Sequence, residues 1–343
     1  MSEIATIGLD LAKQVFQAHG ADAQGATVFN RKLRRSEVLP FFEKLPPCVV
    51  GMEACGGAHH WAREISALGH EVRMLPAQYV KPFVTRGKTD AADAIAISQA
   101  MNSPGIRSVP VKTAAQQAAT MVLHTRTFFV RQRANAVNAL RGYMAEFGLV
   151  TNRGIANFGK LVAALPDRGD ARIPPAARLM LDDLLAEIEN LSARIQRIND
   201  QIAANAKQDE DIRRLIAIPG IRALTASTIQ AHVPDPSCFK SARHFSAWLG
   251  LTPKQNSSGE TRRPGSISRM GNAELRSLLY IGAMGVVVAA RRFGTRSEWL
   301  RRLMARRPLK VAVVALANKT ARVVWALLAK GGTYHAPAEL AGS

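Results

Sequence analysis

Two short apolar runs that each end in a carboxylate constrain this 343-residue chain more than any other feature. Ile4-Ala5-Thr6-Ile7-Gly8-Leu9 ends at Asp10, and Val49-Val50-Gly51-Met52 ends at Glu53. Compact apolar runs of this length suit buried strands, so each must bring a charged group to the rim of a hydrophobic sheet. A third acidic stretch, Lys88-Thr89-Asp90-Ala91-Ala92-Asp93-Ala94, spaces Asp90 and Asp93 to share one face of the expected helix. Singly, each carboxylate has a plainer role: capping a helix or complementing the dipole of its first turn. Four of them converging would repel strongly unless divalent cations neutralised them. That is the logic of a two-metal phosphodiester site, and oxygen-only ligands point to Mg²⁺ or Mn²⁺ rather than zinc.

The surrounding pattern supplies a fold for that set. Residues 4–9, 15–19 and 27–33 read as strands, with Gly20 and Gly25 marking the turn between the last two. Ser36 can cap a helix running to about Lys44, which Pro46-Pro47 stops. A strand over 48–52, a helix over 58–68 closed by Gly69, a strand over 71–75 and the helix of Asp90 and Asp93 follow. Three antiparallel strands and then alternating helix and strand is the element order of a ribonuclease-H-like fold. His59-His60 is not a zinc pair, because adjacent helical side chains point about 100° apart.

Charge separates this segment from the rest. The chain carries 46 Lys+Arg against 26 Asp+Glu, a formal net charge of +20, which favours a polyanionic partner. Residues 1–110 hold 12 Lys/Arg and 10 Asp/Glu, whereas residues 240–310 hold 15 against 3. Metal chemistry and polyanion grip are therefore expected in different modules. Cys48, Cys55 and Cys238 have no zinc-ligand or disulfide pattern and suit a reducing cytoplasm. The N-terminus lacks the charged and apolar regions of a signal peptide. The longest apolar stretch, 13 residues from Leu278 to Ala290, is too short to span a bilayer, so no membrane role is expected.

From Thr113 to Phe147 the composition turns helical, with Arg126, Arg131, Arg133 and Arg141 along it. Two uses fit: a core helix with a solvated face, or a helix laid along a phosphate backbone. Beyond a Pro-bounded linker at 166–175, apolar residues fall at Leu181, Leu184, Ile188, Leu191, Ile195, Ile198 and Ile202, an unbroken heptad seam. The seam predicts a coiled coil, formed either between protomers or as an antiparallel hairpin with the 113–147 helix. Ile218-Pro219-Gly220-Ile221 reads as a helix-hairpin-helix turn whose backbone at Gly220 could bind a phosphate, or as an ordinary corner between helices. The loop Gln255-Asn256-Ser257-Ser258-Gly259-Glu260-Thr261-Arg262-Arg263-Pro264-Gly265 is polar and basic, and nothing in it alone makes a serine catalytic. The segment from Leu309 to Lys330 reads as an apolar core helix with basic ends.

In order, these motifs resemble the DEDD insertion-sequence transposases, the "IS-one-ten" family, which includes the Piv-type DNA invertases. The likeness runs nearly the whole length. It passes through Ile7-Gly8-Leu9-Asp10, Met52-Glu53-Ala54-Cys55-Gly56, the Lys88–Ala94 stretch, Ile218-Pro219-Gly220, Gly250-Leu251-Thr252-Pro253, Ser257-Ser258-Gly259 and Ile267-Ser268-Arg269-Met270-Gly271-Asn272. His59-His60-Trp61-Ala62-Arg63 is similar to the "IS-eleven-eleven" branch. Arg222 departs from the family's usual second glycine, and the serine is doubled. Counting from Thr252-Pro253 favours Ser258 as the family serine; counting back from Ile267-Ser268 favours Ser257 and needs no gap downstream.

The resemblance implies an α/β plus α architecture. A RuvC/ribonuclease-H-like N-terminal domain would span 1–110, a helical extension and linker 111–176, and a coiled coil 177–208. A mainly helical transposase domain at 209–335 and a tail at 336–343 would complete it. It implies that Asp10, Glu53, Asp90 and Asp93 bind Mg²⁺ and that Ser257 or Ser258 is the nucleophile, forming a covalent link to DNA. It also implies a structured guide (bridge) RNA that pairs with donor and target DNA, and a homodimer that becomes a tetramer in the synaptic complex. Lys88, Arg126, Arg131, Arg133, Gly220, Arg262, Arg263 and Arg269 are the expected nucleic-acid contacts. The expected setting is a prokaryotic cytoplasm, on the nucleoid when bound to DNA. The rivals are a RuvC-like Holliday-junction nuclease using activated water and a non-catalytic nucleic-acid-binding protein.

Overall fold

The computed structural model describes residues 3–84, 89–152, 154, 157–165, 171–256 and 264–336. The chain divides into two compact units, Met1–Gln117 and Ala118–Ser343.

The first unit is built on a five-stranded sheet of order β3-β2-β1-β4-β5. Strands β1 (Thr6–Asp10), β2 (Val15–Ala21) and β3 (Thr27–Arg34) are antiparallel neighbours. After helix α1 (Val38–Glu43), β4 (Val49–Glu53) pairs parallel to β1. Helix α2 (Ala58–Ala67) then leads to β5 (Glu71–Leu75), which is parallel to β4. Helices α3 (Ala77–Val80) and α4 (Asp90–Met101) complete the order. Ser36 does not cap α1: Arg35–Glu37 forms a 3-10 turn before it. There the Glu37 carboxylate reaches back to accept from the Arg34 N–H at 2.8 Å.

The strand period of two sorts the two sheet faces. Ile7, Leu9, Val50 and Met52 point one way, into a core with Phe16, Phe42, Trp61 and Ile65 beneath α1 and α2. Gly8, Asp10, Gly51 and Glu53 alternate with them and point the other way, toward α4. Gly8 and Gly51 are direct partners across β1 and β4. A Cβ on Gly8 would meet the Ala94 carbonyl oxygen at 2.2 Å, and one on Gly51 would meet Met101 Sδ at 2.8 Å. The paired glycines thus form a floor without side chains on which the Ala-rich α4 lies close. There Ala96, Ile97, Ala100 and Met101 join Leu75 and Val80 in a second apolar cluster. Burying Ile97 and Met101 contributes about 1.5–3 kcal/mol each.

The second unit is helical. Nearly all of α5 (Ala114–Glu146) belongs to it, followed by α6 (Phe158–Ala163) and α7 (Pro175–Gln208). Between α7 and α5, Arg126 Nε donates to Asn199 Oδ1 at 2.6 Å and Arg133 Nη1 to Ser192 Oγ at 3.3 Å. As the α5 number rises the α7 number falls, so the helices run antiparallel. Leu181 and Ile188 of the heptad seam pack with Val137, Leu140 and Met144, and Ile202 packs with Leu123. Within the chain, then, the seam is covered by α5.

A further core gathers α8 (Glu210–Ile216), α9 (Ala223–His232), α10 (Ala242–Trp248), α11 (Ala273–Phe293), α12 (Glu298–Arg306) and α13 (Leu309–Lys330). Strands β6 (Pro253–Gln255) and β7 (Pro264–Ile267) pair antiparallel on its surface. Helices α11 and α13 are long and apolar enough by length and composition to cross a membrane, although the uninterrupted apolar stretch in the sequence is shorter. Both contribute residues to this core: Leu275, Leu279 and Val287 from α11, Val313, Ala321 and Val324 from α13.

Candidate functional site

The glycine floor explains how the acidic residues approach one another. Asp10 and Glu53 each lie two residues beyond a floor glycine, on the same sheet face, at the C-terminal ends of β1 and β4. Helix α4 enters over that edge. Thr89 caps it, accepting the Ala92 N–H on Oγ1 at 3.2 Å, and Asp90 and Asp93 occupy its first turn. The Asp10 carboxyl is pushed up to about 6 by burial and then by the negative charges of Asp93, Asp90 and Glu53. Asp93, Asp90 and Glu53 thus lie near enough to raise Asp10, although no three of these four carboxylates bring their oxygens within 4.8 Å of one another. The Cys55 thiol is also held above its ordinary value, by desolvation and by the charges of Glu53 and Asp10.

Among the described residues, none of the four carboxylates is ion-paired with a Lys or Arg. An all-oxygen set that repels itself, with no basic partner among the described residues, fits a hard divalent cation. Lys88 lies outside the described residues. His59 and His60 serve structure instead. His59 Nδ1 accepts the Lys112 N–H at 3.1 Å, while Arg63 donates to the Lys112 carbonyl at 2.7 Å. His60 faces Glu64 at 3.7 Å. Burial, then Lys112 and Arg63, lower the His59 pKa, keeping the ring neutral as an acceptor.

In the helical unit the serine segment falls between β6 and β7, and Ser257, Ser258, Arg262 and Arg263 lie outside the described residues. The base of this hairpin is clamped backbone to backbone. Ser268 N–H donates to the Thr252 carbonyl at 2.8 Å, and Arg269 N–H donates to the Gly250 carbonyl at 3.1 Å. A Cβ on Gly250 would meet Met270 O at 2.3 Å, and one on Gly271 would meet Trp248 O at 1.7 Å. Arg276 closes the clamp from α11, donating to the Leu249 and Met270 carbonyls, each at 2.9 Å. The motifs around Gly250 and Gly271 are two halves of one mount.

Beside the mount opens a cavity of about 1340 Å³ with an apolar lining and a basic rim that includes Arg269, Lys310, Lys319, Arg322 and Lys330. Tyr280 and Trp299 also line it, with Lys319 Nζ 4.3 Å from the Trp299 ring centre. Cations interleaved with aromatic rings suit a nucleic-acid strand, neutralising phosphate and stacking bases. α13 is the core helix expected from the sequence, and it also carries a basic stripe to this lining. The stripe, Lys319, Arg322 and Lys330, is spaced by about one and two helical turns.

The other expected contacts divide. Arg269 stands exposed in the left-handed region, with φ 57°, on the rim of the cavity. Arg131 is exposed on α5. Arg126 and Arg133 are partly buried and bind α7, so they have a structural task within the chain. Gly220 turns at φ 88° with its backbone pressed against Gly282 of α11, where a Cβ would meet Gly282 O at 2.8 Å. The close approach requires glycine there irrespective of phosphate. Absence of glycine at Arg222 leaves the turn intact, since Arg222 is extended (φ −116°).

Comparison with known proteins agrees with both halves. A transposase family model for DEDD proteins of the IS110 type matches residues 7–148, and the transposase IS116/IS110/IS902 family model matches residues 212–298. A probable family 20 transposase of Pseudomonas aeruginosa is 46% identical over 333 residues, covering 96% of this chain and 98% of that one. The transposase for insertion sequence element IS1111A of Coxiella burnetii is 36% identical over 97% of this chain and 92% of its own length. A pilin gene-inverting protein of Moraxella bovis is 29% identical over 116 residues, 33% of this chain and 35% of that protein. With its carboxylates gathered at one sheet edge and its basic helical unit beyond, the chain belongs to the IS110 family of DEDD insertion-sequence transposases, enzymes that recombine DNA and use divalent metal.

Proposed function

We propose that this transposase cuts and exchanges DNA strands with a Mg²⁺-binding tetrad, Asp10, Glu53, Asp90 and Asp93, and a serine nucleophile, Ser257 or Ser258. The observation that carries the proposal is the Asp10 carboxyl, held near 6 by burial and the charges of the other three. The sheet order β3-β2-β1-β4-β5, with its antiparallel and parallel halves, supports a RuvC/ribonuclease-H-like assignment for the first unit. Bound Mg²⁺ would neutralise the phosphate and stabilise charge developing in the transition state. The serine Oγ forms a bond to phosphorus as one backbone P–O bond breaks. Its proton passes to solvent, and the departing oxygen takes one up. One phosphoester replaces another, so the strands can be rejoined without an energy source. Arg262 and Arg263 are assigned to the developing negative charge.

The donor and target DNA would be held by the basic unit, together with a structured guide RNA whose second polyanionic load suits the chain's +20 charge. Dimerisation would use the α5–α7 hairpin, which leaves Met121, Phe128, Tyr143 and Leu179 exposed. The tetramer of the synaptic complex would let tetrad and serine from different protomers act on one phosphodiester, within a reducing prokaryotic cytoplasm. A second reading, a junction nuclease using activated water, rests on the tetrad alone. Denaturing electrophoresis after reaction with labelled element-end DNA separates the two. Covalent protein–DNA adduct is expected, absent from the Ser257→Ala/Ser258→Ala double variant; cleavage without adduct, or unchanged in that variant, removes the serine.

A further inference from the structure

We propose that His124, His232 and Glu274 form a second metal site, one that takes Zn²⁺ and ties α5 to α9 and α11 within the helical unit. Each residue contributes one ligand atom, and these atoms lie within 4.8 Å of one another. Two imidazoles and a carboxylate are a donor set zinc takes with bonds of about 2.0–2.2 Å, leaving a fourth position for water. Tetrahedral bonds of that length separate ligand atoms by roughly 3.4 Å, so side-chain rotation closes the site. His124 Nε2 stands 4.0 Å from Glu274 Oε2, too far for a hydrogen bond and near the spacing of two ligands flanking an ion.

The groups behind the ligands are those a metal site needs. Thr127 Oγ1 donates to Glu274 Oε1 at 2.7 Å, leaving Oε2 on the His124 side. His232 Nδ1 lies 2.9 Å from the Thr228 carbonyl oxygen, so that nitrogen carries the proton and donates. In this tautomer the lone pair is on Nε2. Asn272 caps α11, accepting the Leu275 N–H at 2.9 Å, and so sets Glu274 in the helix's first turn. The His232 ring centre is 5.8 Å from that of His124. Nitrogen donors also favour zinc where the all-carboxylate tetrad favours magnesium, so the two sites sort two metals. Zinc would brace the start of α11, the helix that follows the clamped β6–β7 hairpin.

The test uses full-length protein in a Cys55→Ser/Cys238→Ser background, saturated with Mg²⁺ and titrated with Zn²⁺ or Co²⁺ alone. We expect one Zn²⁺ per chain, a raised thermal midpoint, and visible Co²⁺ bands of a nitrogen-ligated site. His124→Ala, whose side chain is 59% exposed and so is safe for folding, should weaken Zn²⁺ affinity at least about tenfold and remove the midpoint rise. Glu274→Gln and His232→Gln should do the same, and Asp90→Asn should not. Zinc binding and midpoint shift unchanged in His124→Ala overturn the proposal, as does their loss in Asp90→Asn or the absence of Zn²⁺ binding in the parent.

Discussion

Met1–Gln117 carries 13 Lys/Arg against 10 Asp/Glu, while Ala118–Ser343 carries 33 against 16, so most of the +20 charge resides in the helical unit. The two units treat like charge in opposite ways. The first concentrates four carboxylates at one sheet edge, on a face kept free of side chains by Gly8 and Gly51. The second spreads its cations along exposed helix faces and around an open cavity. Concentrated charge raises the energy of its own ionised state and is relieved by a small cation at a fixed point. Spread charge is relieved by a polyanion lying along it, with release of counterions. On the proposed function the contrast separates chemistry from grip, and it can be broken experimentally.

The largest effect expected is from Asp90→Asn. Losing a proposed metal ligand should lower metal-dependent strand cleavage by roughly 10³-fold or more while DNA affinity changes little. A gel-shift titration run beside the cleavage assay checks this, and parallel loss of binding would merge the two roles. Next is Gly8→Ala, whose methyl would sit 2.2 Å from the Ala94 carbonyl oxygen. It should cost about 1–3 kcal/mol and displace α4, so cleavage falls too. Gly142→Ala, in the open face of α5 with nothing near its Cβ, should instead raise stability by about 0.5–1 kcal/mol. Urea melts of both variants make the comparison.

In the helical unit, Arg322→Ala and Lys310→Ala should each weaken DNA binding at all sequences and lower the slope of log affinity against log salt by about 0.9 per lost phosphate contact. An unchanged slope would place the grip elsewhere. The smallest effect concerns Asp10, whose folded value of about 6 lies above its ordinary 3.8. The folded state therefore binds the proton more tightly. The stability this contributes is complete below about pH 3.8 and is lost as pH rises through 6. In metal-free protein at pH 7, Asp10→Asn should be more stable by ~1 kcal/mol or less, since the site is partly solvated and screened. The difference should vanish near pH 3, and urea melts at the two pH values read it.

Much of the first unit was legible because its cues are local. Compact apolar runs mark β1 and β4, and the strand period of two sets Asp10 with Gly8 and Glu53 with Gly51 on one face. The three-residue spacing of Asp90 and Asp93 then places both in the first turn of α4. The glycines themselves went unread: a missing side chain has meaning only when the element lying on it is known. In the helical unit the heptad seam announced a partner without naming it. Core packing against α5 decided that, and it gave Arg126 and Arg133 structural partners that charge alone assigned to nucleic acid.

By itself the sequence determined the family, the succession of strands and helices in the first unit and the separation of charge, all carried by short motifs and composition. Only the tertiary structure decided what lies on what. It set α4 on the glycine floor, joined the motifs at Gly250 and Gly271 into a clamp, and turned the basic stripe of α13 toward a cavity. It also drew His124, His232 and Glu274 from three helices to within 4.8 Å. The reason is physical: a helix or strand period fixes direction over a few residues, whereas contact between residues far apart in the chain is set by which buried faces fit together.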